Sequence, residues 1–198
     1  SNLDDSVGEI LKAVEHNQLE ENTIVVFLSD NGGPTRELTS SNLPLKGEKG
    51  TMYEGGLRVP FLMQWKGTIP SGTTFSHPVI STDLMATFTT AAAAAQPKTK
   101  LDSVDLLPFV TQQQDGAPHE FLFWRVGAKR AIRMGDWKAL LEPGRFGSPN
   151  WQLYNLKQDI GETNDLAIER NNILESLQRQ WTTTNEEMID PIFDPRKK

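Results

Sequence analysis

The sequence predicts an α/β fold, and three observations lead to that prediction. A helical pattern at residues 3–17 is followed by a six-residue apolar, β-branched run at 23–28. That run is too short for a helix and suits a strand of a parallel sheet covered on both faces. Four closely spaced strand candidates then precede a second helical pattern near the C-terminus. Close spacing favours antiparallel hairpins, so we expect a second, antiparallel sheet.

The first predicted helix carries its apolar residues on one face. They recur at intervals of three and four residues, at Leu3, Val7, Ile10, Leu11 and Val14. This is the spacing of an amphipathic α-helix. A helix leading into the strand at 23–28 predicts a crossover unit whose first strand precedes these residues. We therefore expect the chain to begin inside such a unit, as a truncated protein would.

Three further elements are predicted between residues 59 and 95. The apolar stretch 59–65 predicts a strand that returns the chain to the sheet, and residues 77–81 predict another. Thr82 or Asp83 is expected to cap a helix that continues through the alanine run at 91–95.

A change of composition at residues 96–118, where Pro, Gly, Gln and Lys accumulate, marks a predicted boundary. We expect the α/β part at residues 1–100 and a smaller subdomain at residues 101–198. The strand candidates of the subdomain are 121–126, 130–134, 136–141 and 151–156, and its closing helix is 168–181. Trp124, Trp137 and Trp151 are expected in the core, and a carbohydrate-stacking surface is the alternative.

Polar residues end the first strand abruptly, because the sequence SDNGG follows Leu28. In open α/β sheets the carboxyl ends of strands carry ligands. Asp30 and Asn31 offer a carboxylate and an amide oxygen there, which are donors that Ca²⁺ or Mg²⁺ prefers. A simple turn uses the same residue types. This stretch alone therefore leaves both a turn and a metal site open.

A second segment, residues 45–60, reads LKGEKGTMYEGGLRVP and holds more glycine than a solvated charged loop needs. Glu54 and Arg58 are expected to pair and so to hold the glycine turn in shape. Arg36, in the polar loop before this segment, is either a contact for an anionic group or a solvent-exposed arginine. Lys46 is either a second anion contact or a surface residue.

Together the two segments resemble the sulfatase family, the formylglycine-dependent sulfuric ester hydrolases of the alkaline-phosphatase superfamily. In that family a strand ending in Asp-Asn-Gly is followed by Lys-Gly-Thr-x-Tyr-Glu-Gly-Gly-x-Arg-x-Pro, and both occur here in that order. The resemblance implies that Asp30 and Asn31 bind Ca²⁺ or Mg²⁺ and that Lys49 is a catalytic residue that contacts the sulfate. It also implies the C-terminal part of an alkaline-phosphatase-like α/β/α sandwich, followed by a small antiparallel sheet packed with a C-terminal helix.

The sequence departs from the family pattern at the nucleophile. The family makes its formylglycine from the first residue of Cys-x-Pro-x-Arg or Ser-x-Pro-x-Arg, and these 198 residues contain neither motif and no cysteine. The resemblance therefore implies that the chain is the C-terminal portion of a sulfatase, with the formylglycine in an N-terminal part beyond these residues. We expect little or no turnover by the chain alone. The resemblance further implies a sulfated small molecule or sulfated carbohydrate as substrate and a periplasmic or extracellular location.

The composition of the chain excludes some classes of binding partner. A net charge of −6 argues against nucleic-acid binding, which needs clustered Lys and Arg. No apolar run approaches the length of a membrane span. Two other functions stay open: a phosphodiesterase or phosphotransferase of the same superfamily, and a non-catalytic module for sulfated-glycan binding or assembly. We also expect an exposed sheet edge that promotes self-association.

Overall fold

A computed structural model describes residues 2–37, 39–95, 97–99, 101–144 and 147–190. Its helices and strands confirm a mixed α/β fold with antiparallel sheets. The helices are α1 (Asn2–His16), α2 (Glu54–Leu57), α3 (Asp83–Ala91), α4 (Leu107–Val110) and α5 (Asn171–Glu186), with a 3₁₀ turn at Glu20–Asn22. The strands are β1 (Val25–Leu28), β2 (Phe61–Gln64), β3 (Leu122–Val126), β4 (Lys129–Met134), β5 (Trp137–Leu141) and β6 (Gln152–Asn155).

The chain divides into two compact units. The first unit joins Ser1–Leu28 to Pro60–His119, and the second joins Ser29–Val59 to Glu120–Lys198. The predicted division into 1–100 and 101–198 cuts the chain once, whereas each compact unit combines two separate stretches. The predicted division stays a prediction. Between residues 2 and 190, in the parts that are described, no helix is long and apolar enough to cross a membrane.

The first unit contains a two-stranded sheet. The strands predicted at 23–28 and 59–65 are present as β1 and β2, and Leu28 pairs with Phe61. The pairing is antiparallel, so the expectation of a parallel partner is wrong for this described pair. The reason is that the chain leaves the sheet after β1 and re-enters it at the same end. All four residues of β1 are partly exposed, so neither face is fully covered.

In the first unit two of the predicted helices are present, whereas the strand predicted at 77–81 is not. The helix α1 lies where it was expected, although none of its residues is buried. The strand predicted at 77–81 is wrong, because this segment forms the turn before α3. There the Ile80 amide donates to Asp83 Oδ2 at 2.9 Å, so the Asp83 carboxylate binds the turn. The helix α3 ends at Ala91, before the rest of the alanine run.

The second unit is built on an antiparallel sheet with strand order β3-β4-β5-β6, as the sequence predicts. The helix α5 covers one face of this sheet through a core cluster of six buried side chains: Ile132, Ala139, Leu153, Leu174, Leu177 and Trp181. Trp124, Trp137 and Trp151 pack against the core clusters of this unit, so the core interpretation is confirmed.

The opposite face of the same sheet is covered by the glycine-rich segment. Its core cluster joins Met52 and Tyr53 to sheet residues whose side chains alternate with those facing α5: Ala131, Leu140 and Tyr154. Because successive side chains of a strand point to opposite faces, one short sheet anchors both α5 and residues 45–57. The sheet is therefore the support on which the second sequence motif is held.

Candidate functional site

Backbone hydrogen bonds bring the two sequence motifs together. The Gly32 amide donates to the Gly56 carbonyl at 3.1 Å, and the Lys49 amide donates to the Gly33 carbonyl at 3.4 Å. The residues that follow Asp30 and Asn31 are thus bonded directly to the segment that carries Lys49. The predicted metal ligands and the predicted catalytic lysine lie on one hydrogen-bonded framework.

Glycine permits this approach at Gly32. A Cβ atom added at Gly32 would lie 1.7 Å from the Gly55 carbonyl oxygen and 2.7 Å from its carbon. Both neighbours are backbone atoms, so no side-chain movement could relieve the contact. The same crowding applies at Gly55, where a Cβ would lie 2.5 Å from the Gly47 carbonyl oxygen. The glycines counted in the sequence are needed because two backbone segments touch.

Asn42 connects the same segments through its side chain, and sequence analysis did not identify it. Its Oδ1 accepts from the Gly33 amide at 3.0 Å, and its Nδ2 donates to the carbonyls of Gly33 and Gly47 at 2.9 and 3.1 Å. One amide group therefore satisfies three backbone groups. A single Asn within a polar loop has no distinguishing pattern, so only the folded geometry reveals this role.

The predicted metal ligands lie just beyond the end of β1. Asp30 is exposed, and Asn31 is half-buried with its Nδ2 donating to the Gly32 carbonyl at 3.0 Å. Ser29 Oγ donates to the Asn31 carbonyl at 2.9 Å, which fixes the backbone of the turn. Among the described residues, no three His, Cys, Asp or Glu side chains lie close enough together to hold a metal. Asp30 and Asn31 could therefore supply only part of a coordination shell.

Lys49 lies on a cleft of about 530 Å³ in the second unit. Four cationic residues line this cleft, together with two acidic ones: Arg36, Lys46, Lys49, Lys129, Glu48 and Glu142. Both acids are engaged, since Glu48 Oε1 lies 2.5 Å from Arg36 Nε and Glu142 Oε1 lies 2.5 Å from Lys129 Nζ. The cleft therefore carries an excess of positive charge, which suits an anionic ligand.

Lys46 has a different environment from Lys49. Its Nζ donates to the Glu162 carbonyl at 3.0 Å and lies 4.4 Å from the centre of the Tyr53 ring. A second ring, that of Tyr154, lies 5.4 Å away. Cation–π contacts of this kind hold the ammonium against the sheet, while the side chain still lines the cleft. Its assignment as a substrate contact stays a prediction, as does that of Arg36.

A buried ion cluster anchors the helix α2, and it corrects one expectation. The Glu54 carboxylate pairs with Lys138, at 2.8 Å between Oε1 and Nζ, and not with Arg58 as predicted. Lys138 Nζ also lies 2.9 Å from Glu162 Oε1, and Glu162 Oε2 accepts from the Glu54 amide at 2.7 Å. The Lys138 side chain is fully buried. Arg58 contributes instead through its backbone amide, which donates to the Glu54 carbonyl.

Sequence analysis missed Lys138 and Glu162, although strand alternation contains a signal for the first. Lys138 and Leu140 are two residues apart on β5, so both face the core cluster of Tyr53 and Tyr154. A lysine at a core-facing strand position requires buried acidic partners. The partners come from distant segments, which the sequence pattern does not identify.

Burial shifts the pKa of three groups next to this cluster. It raises the pKa of Glu162, which Lys138 opposes by stabilising the carboxylate. It raises the pKa of Tyr53 to about 12, with a further contribution from the negative charge of Glu142. Burial also raises the pKa of Tyr154 well above its usual range. The two tyrosines therefore stay neutral at physiological pH.

Comparison with known proteins adds an independent finding. Residues 1–94 match the family model described as Sulfatase. The chain is 32% identical over 195 residues to a sulfatase of Formosa agariphila, covering 84% of this chain and 34% of that protein. It is 36% identical over 146 residues to human arylsulfatase A, covering 69% of this chain and 28% of that protein.

A solved structure agrees with these relatives over nearly the whole chain. The crystal structure of Ps i-CgsB in complex with k-i-k-neocarrahexaose superposes with a TM-score of 0.84 at 32% identity. The match covers 98% of this chain and 44% of that one. The chain spans about a third of the length of the curated relatives it matches.

Proposed function

The chain belongs to the sulfatase family, and from that premise we propose that it supplies metal-binding and sulfate-binding residues to a sulfuric ester hydrolase. The observation that carries the proposal is the hydrogen-bonded junction between residues 32–33 and residues 49–56. It joins the turn of Asp30 and Asn31 to the loop of Lys49 within one compact unit. Hydrolysis would release sulfate and an alcohol.

We assign Asp30 and Asn31 to a Ca²⁺ site, with Mg²⁺ as the alternative. Their carboxylate and amide oxygens fit the preference of these cations for oxygen donors. Ca²⁺ takes about six to eight oxygen ligands, so the remaining donors must come from outside this pair. When bound, the cation would neutralise sulfate oxygens and lower the pKa of a nucleophilic hydroxyl. The motif from which the family makes its formylglycine, Cys-x-Pro-x-Arg or Ser-x-Pro-x-Arg, does not occur in these 198 residues.

Lys49 is the residue we assign to the sulfate. Its side chain is exposed at the cleft, and no ion pair neutralises it within the described part of the chain. An ammonium placed at the sulfate stabilises the negative charge that develops on the leaving oxygen. Arg36 and Lys46 are proposed as further substrate contacts. Arg36 would have to exchange its present partner, Glu48, for the substrate.

The proposed substrate is a sulfated carbohydrate or a sulfated small molecule. One relative is named arylsulfatase A, and one similar structure contains k-i-k-neocarrahexaose. The excess of positive charge in the cleft supports an anionic substrate of either kind. We further propose a periplasmic or extracellular location, and the resemblance to the sulfatase family supports this proposal.

The test compares three alanine variants in the full-length protein. Asp30→Ala removes a charged ligand and should weaken Ca²⁺ binding strongly, while Asn31→Ala should weaken it less, because an amide carries no net charge. Lys49→Ala should leave Ca²⁺ affinity unchanged and lower kcat roughly 10²–10³-fold, the scale of losing one transition-state contact. Calcium titration and turnover of an aryl sulfate measure the two effects.

Lys157→Ala is the matched control, since Lys157 is 77% exposed in the same unit and is absent from the cleft lining. A bis-aryl phosphate diester and an aryl phosphate monoester assayed in parallel separate a sulfatase from a phosphodiesterase or phosphotransferase. Unchanged kcat/KM in Lys49→Ala would remove that lysine from the site. The chain of 198 residues alone should release no sulfate, because it lacks a formylglycine motif.

We also propose that the isolated chain self-associates through its first unit. The described sheet of this unit has two strands, and such a sheet is marginally stable alone. Large apolar side chains are exposed on it and on its helices, including Leu62 at 62%, Met85 at 57% and Phe88 at 41%. Light scattering over a concentration series should show dimers or larger species, and Leu62→Lys should reduce them. A monomer with a sharp two-state melt would contradict this proposal.

A further inference from the structure

An ion pair at the edge of β4 and β5, between Lys129 and Glu142, holds the loop of Lys49. Lys129 is the first residue of β4, and Glu142 directly follows β5. The register pairs Arg130 with Leu141, so Lys129 and Glu142 are the next neighbours across the two strands. Their charged atoms lie 2.5 Å apart, and the side chains are 30% and 6% exposed. This pair is more protected from solvent than an ordinary surface ion pair.

Each member of the pair also binds the backbone next to Lys49. Lys129 Nζ donates to the Gly50 carbonyl at 2.6 Å. The other oxygen of the carboxylate, Glu142 Oε2, accepts from the Met52 amide at 2.7 Å. The pair therefore binds the backbone at two points, one and three residues after Lys49. Neither contact involves the Lys49 side chain.

The segment that the pair binds is a tight turn with Lys49 at its second position. The Thr51 amide donates to the Glu48 carbonyl at 2.9 Å, and Gly50 has a φ of +82°. A positive φ at the third residue is the geometry of a type II turn. Lys49, at the second position, is exposed. The position of Lys49 thus depends on how this turn is anchored.

We propose that Lys129 and Glu142 are positioning residues for Lys49. The proposal rests on the proposed function of Lys49 as the sulfate contact. The ion pair orders the turn before substrate binds, so the ammonium of Lys49 reaches the sulfate without a cost of ordering the loop. A catalytic group displaced by about 1 Å loses roughly 10²-fold in rate, so an anchor of this kind has a measurable effect.

The first experiment measures the anchor itself, without activity. Amide hydrogen exchange at Met52 is compared in the chain and in Lys129→Met, Lys129→Arg and the control Lys157→Met. We expect faster exchange at Met52 in Lys129→Met, with protection of the β4 and β5 amides retained, and recovery in Lys129→Arg. Glu142→Gln keeps an acceptor for Met52 and should be intermediate. Unchanged exchange at Met52 in Lys129→Met would overturn the proposal.

The second experiment is a double-mutant cycle on turnover in the full-length protein. Lys129→Met should lower kcat by roughly 10–100-fold and Lys129→Arg should recover most of it. In a Lys49→Ala background, Lys129→Met should lower kcat less than about 2-fold, because the group it positions is already gone. Equal losses in both backgrounds would show a general structural role and overturn the proposal.

The two experiments separate this inference from the proposed function. If Lys49→Ala leaves turnover unchanged, the assignment of Lys49 fails, and Met52 exchange alone still decides whether the pair anchors the turn. If Lys49→Ala lowers turnover while Lys129→Met does not, the proposed function stands and the positioning role is refuted.

Discussion

Lys138 offers a direct test of the buried ion cluster that supports α2. Its ammonium is fully buried between two carboxylates, 2.8 Å from Glu54 Oε1 and 2.9 Å from Glu162 Oε1. Lys138→Met keeps the length of the side chain but removes the charge. Both carboxylates would then remain buried, with Arg133, at 3.8 Å from Glu54 Oε2, as the nearest described cation to that group.

The expected loss of stability follows from this burial. Removing one partner from a buried ion pair costs about 3–5 kcal/mol, because the remaining charge is left uncompensated. The second unit has about 110 residues, for which the unfolding entropy is roughly 0.23 kcal/mol/K. If this unit unfolds cooperatively, its Tm should fall by about 13–22 °C.

The loss should also depend on pH. Burial raises the pKa of Glu162 in the folded state, and Lys138 limits that rise. A raised folded pKa means that the stability associated with this group is present below the unfolded pKa and is lost as pH rises. Without Lys138 the pKa of Glu162 rises further. The deficit of Lys138→Met should therefore be smallest below about pH 4.5 and should grow towards neutral pH.

Urea unfolding followed by circular dichroism at pH 4.5 and pH 7.5 measures the effect. Lys157→Met, a lysine of the same unit that is 77% exposed, serves as the control and should be nearly neutral. The double variant Lys138→Met/Glu162→Gln should recover part of the loss by removing one unpaired charge. A deficit below about 1 kcal/mol, or one of equal size at both pH values, would refute this account of the cluster.

Two further predictions concern the packing around the site. Spectrophotometric titration should show no tyrosinate below about pH 11, because the pKa of Tyr53 is about 12 and that of Tyr154 is also raised. The folding stability that depends on neutral tyrosine should be lost above about pH 10. Ordinary tyrosine ionisation near pH 10 in the folded chain would contradict the burial of these two side chains. Gly32→Ala should destabilise the second unit by about 1–3 kcal/mol, since the new Cβ would lie 1.7 Å from the Gly55 carbonyl oxygen. Gly8→Ala, which meets nothing within 4 Å in the helix α1, is the control and should be neutral or stabilising in the same melts.

Periodic features of the sequence were sufficient to predict most of the elements. The antiparallel sheet from β3 to β6 and the helices α1, α3 and α5 lie close to their predicted positions. Their signals are local, because hydrophobic spacing and turn residues act over a few positions. The strand predicted at 77–81 failed for a related reason: a short apolar run does not distinguish a strand from a turn that an aspartate stabilises, as Asp83 does here.

The glycine-rich segment shows what local sequence patterns predict and what they do not. Its composition indicated a special backbone, and the resemblance to sulfatases singled out Lys49, Asp30 and Asn31. The partner of Glu54 could not be derived, because Arg58 is four residues away in sequence whereas Lys138 is 84 residues away and in contact. Proximity along the chain therefore favoured the wrong partner for Glu54, because folding brings the distant Lys138 into contact with it.

The sequence by itself determined the resemblance to the sulfatase family, the order of most of the elements, and the residues that we propose to bind a metal and a sulfate. Only the tertiary structure decided what supports them: the Asn42 side chain, the Lys129–Glu142 pair and the buried Lys138 cluster. These supports join residues separated by 5 to 108 positions. The physical reason is that a buried charge or polar group is tolerated wherever folding brings a partner, and no local pattern encodes which distant partner that will be.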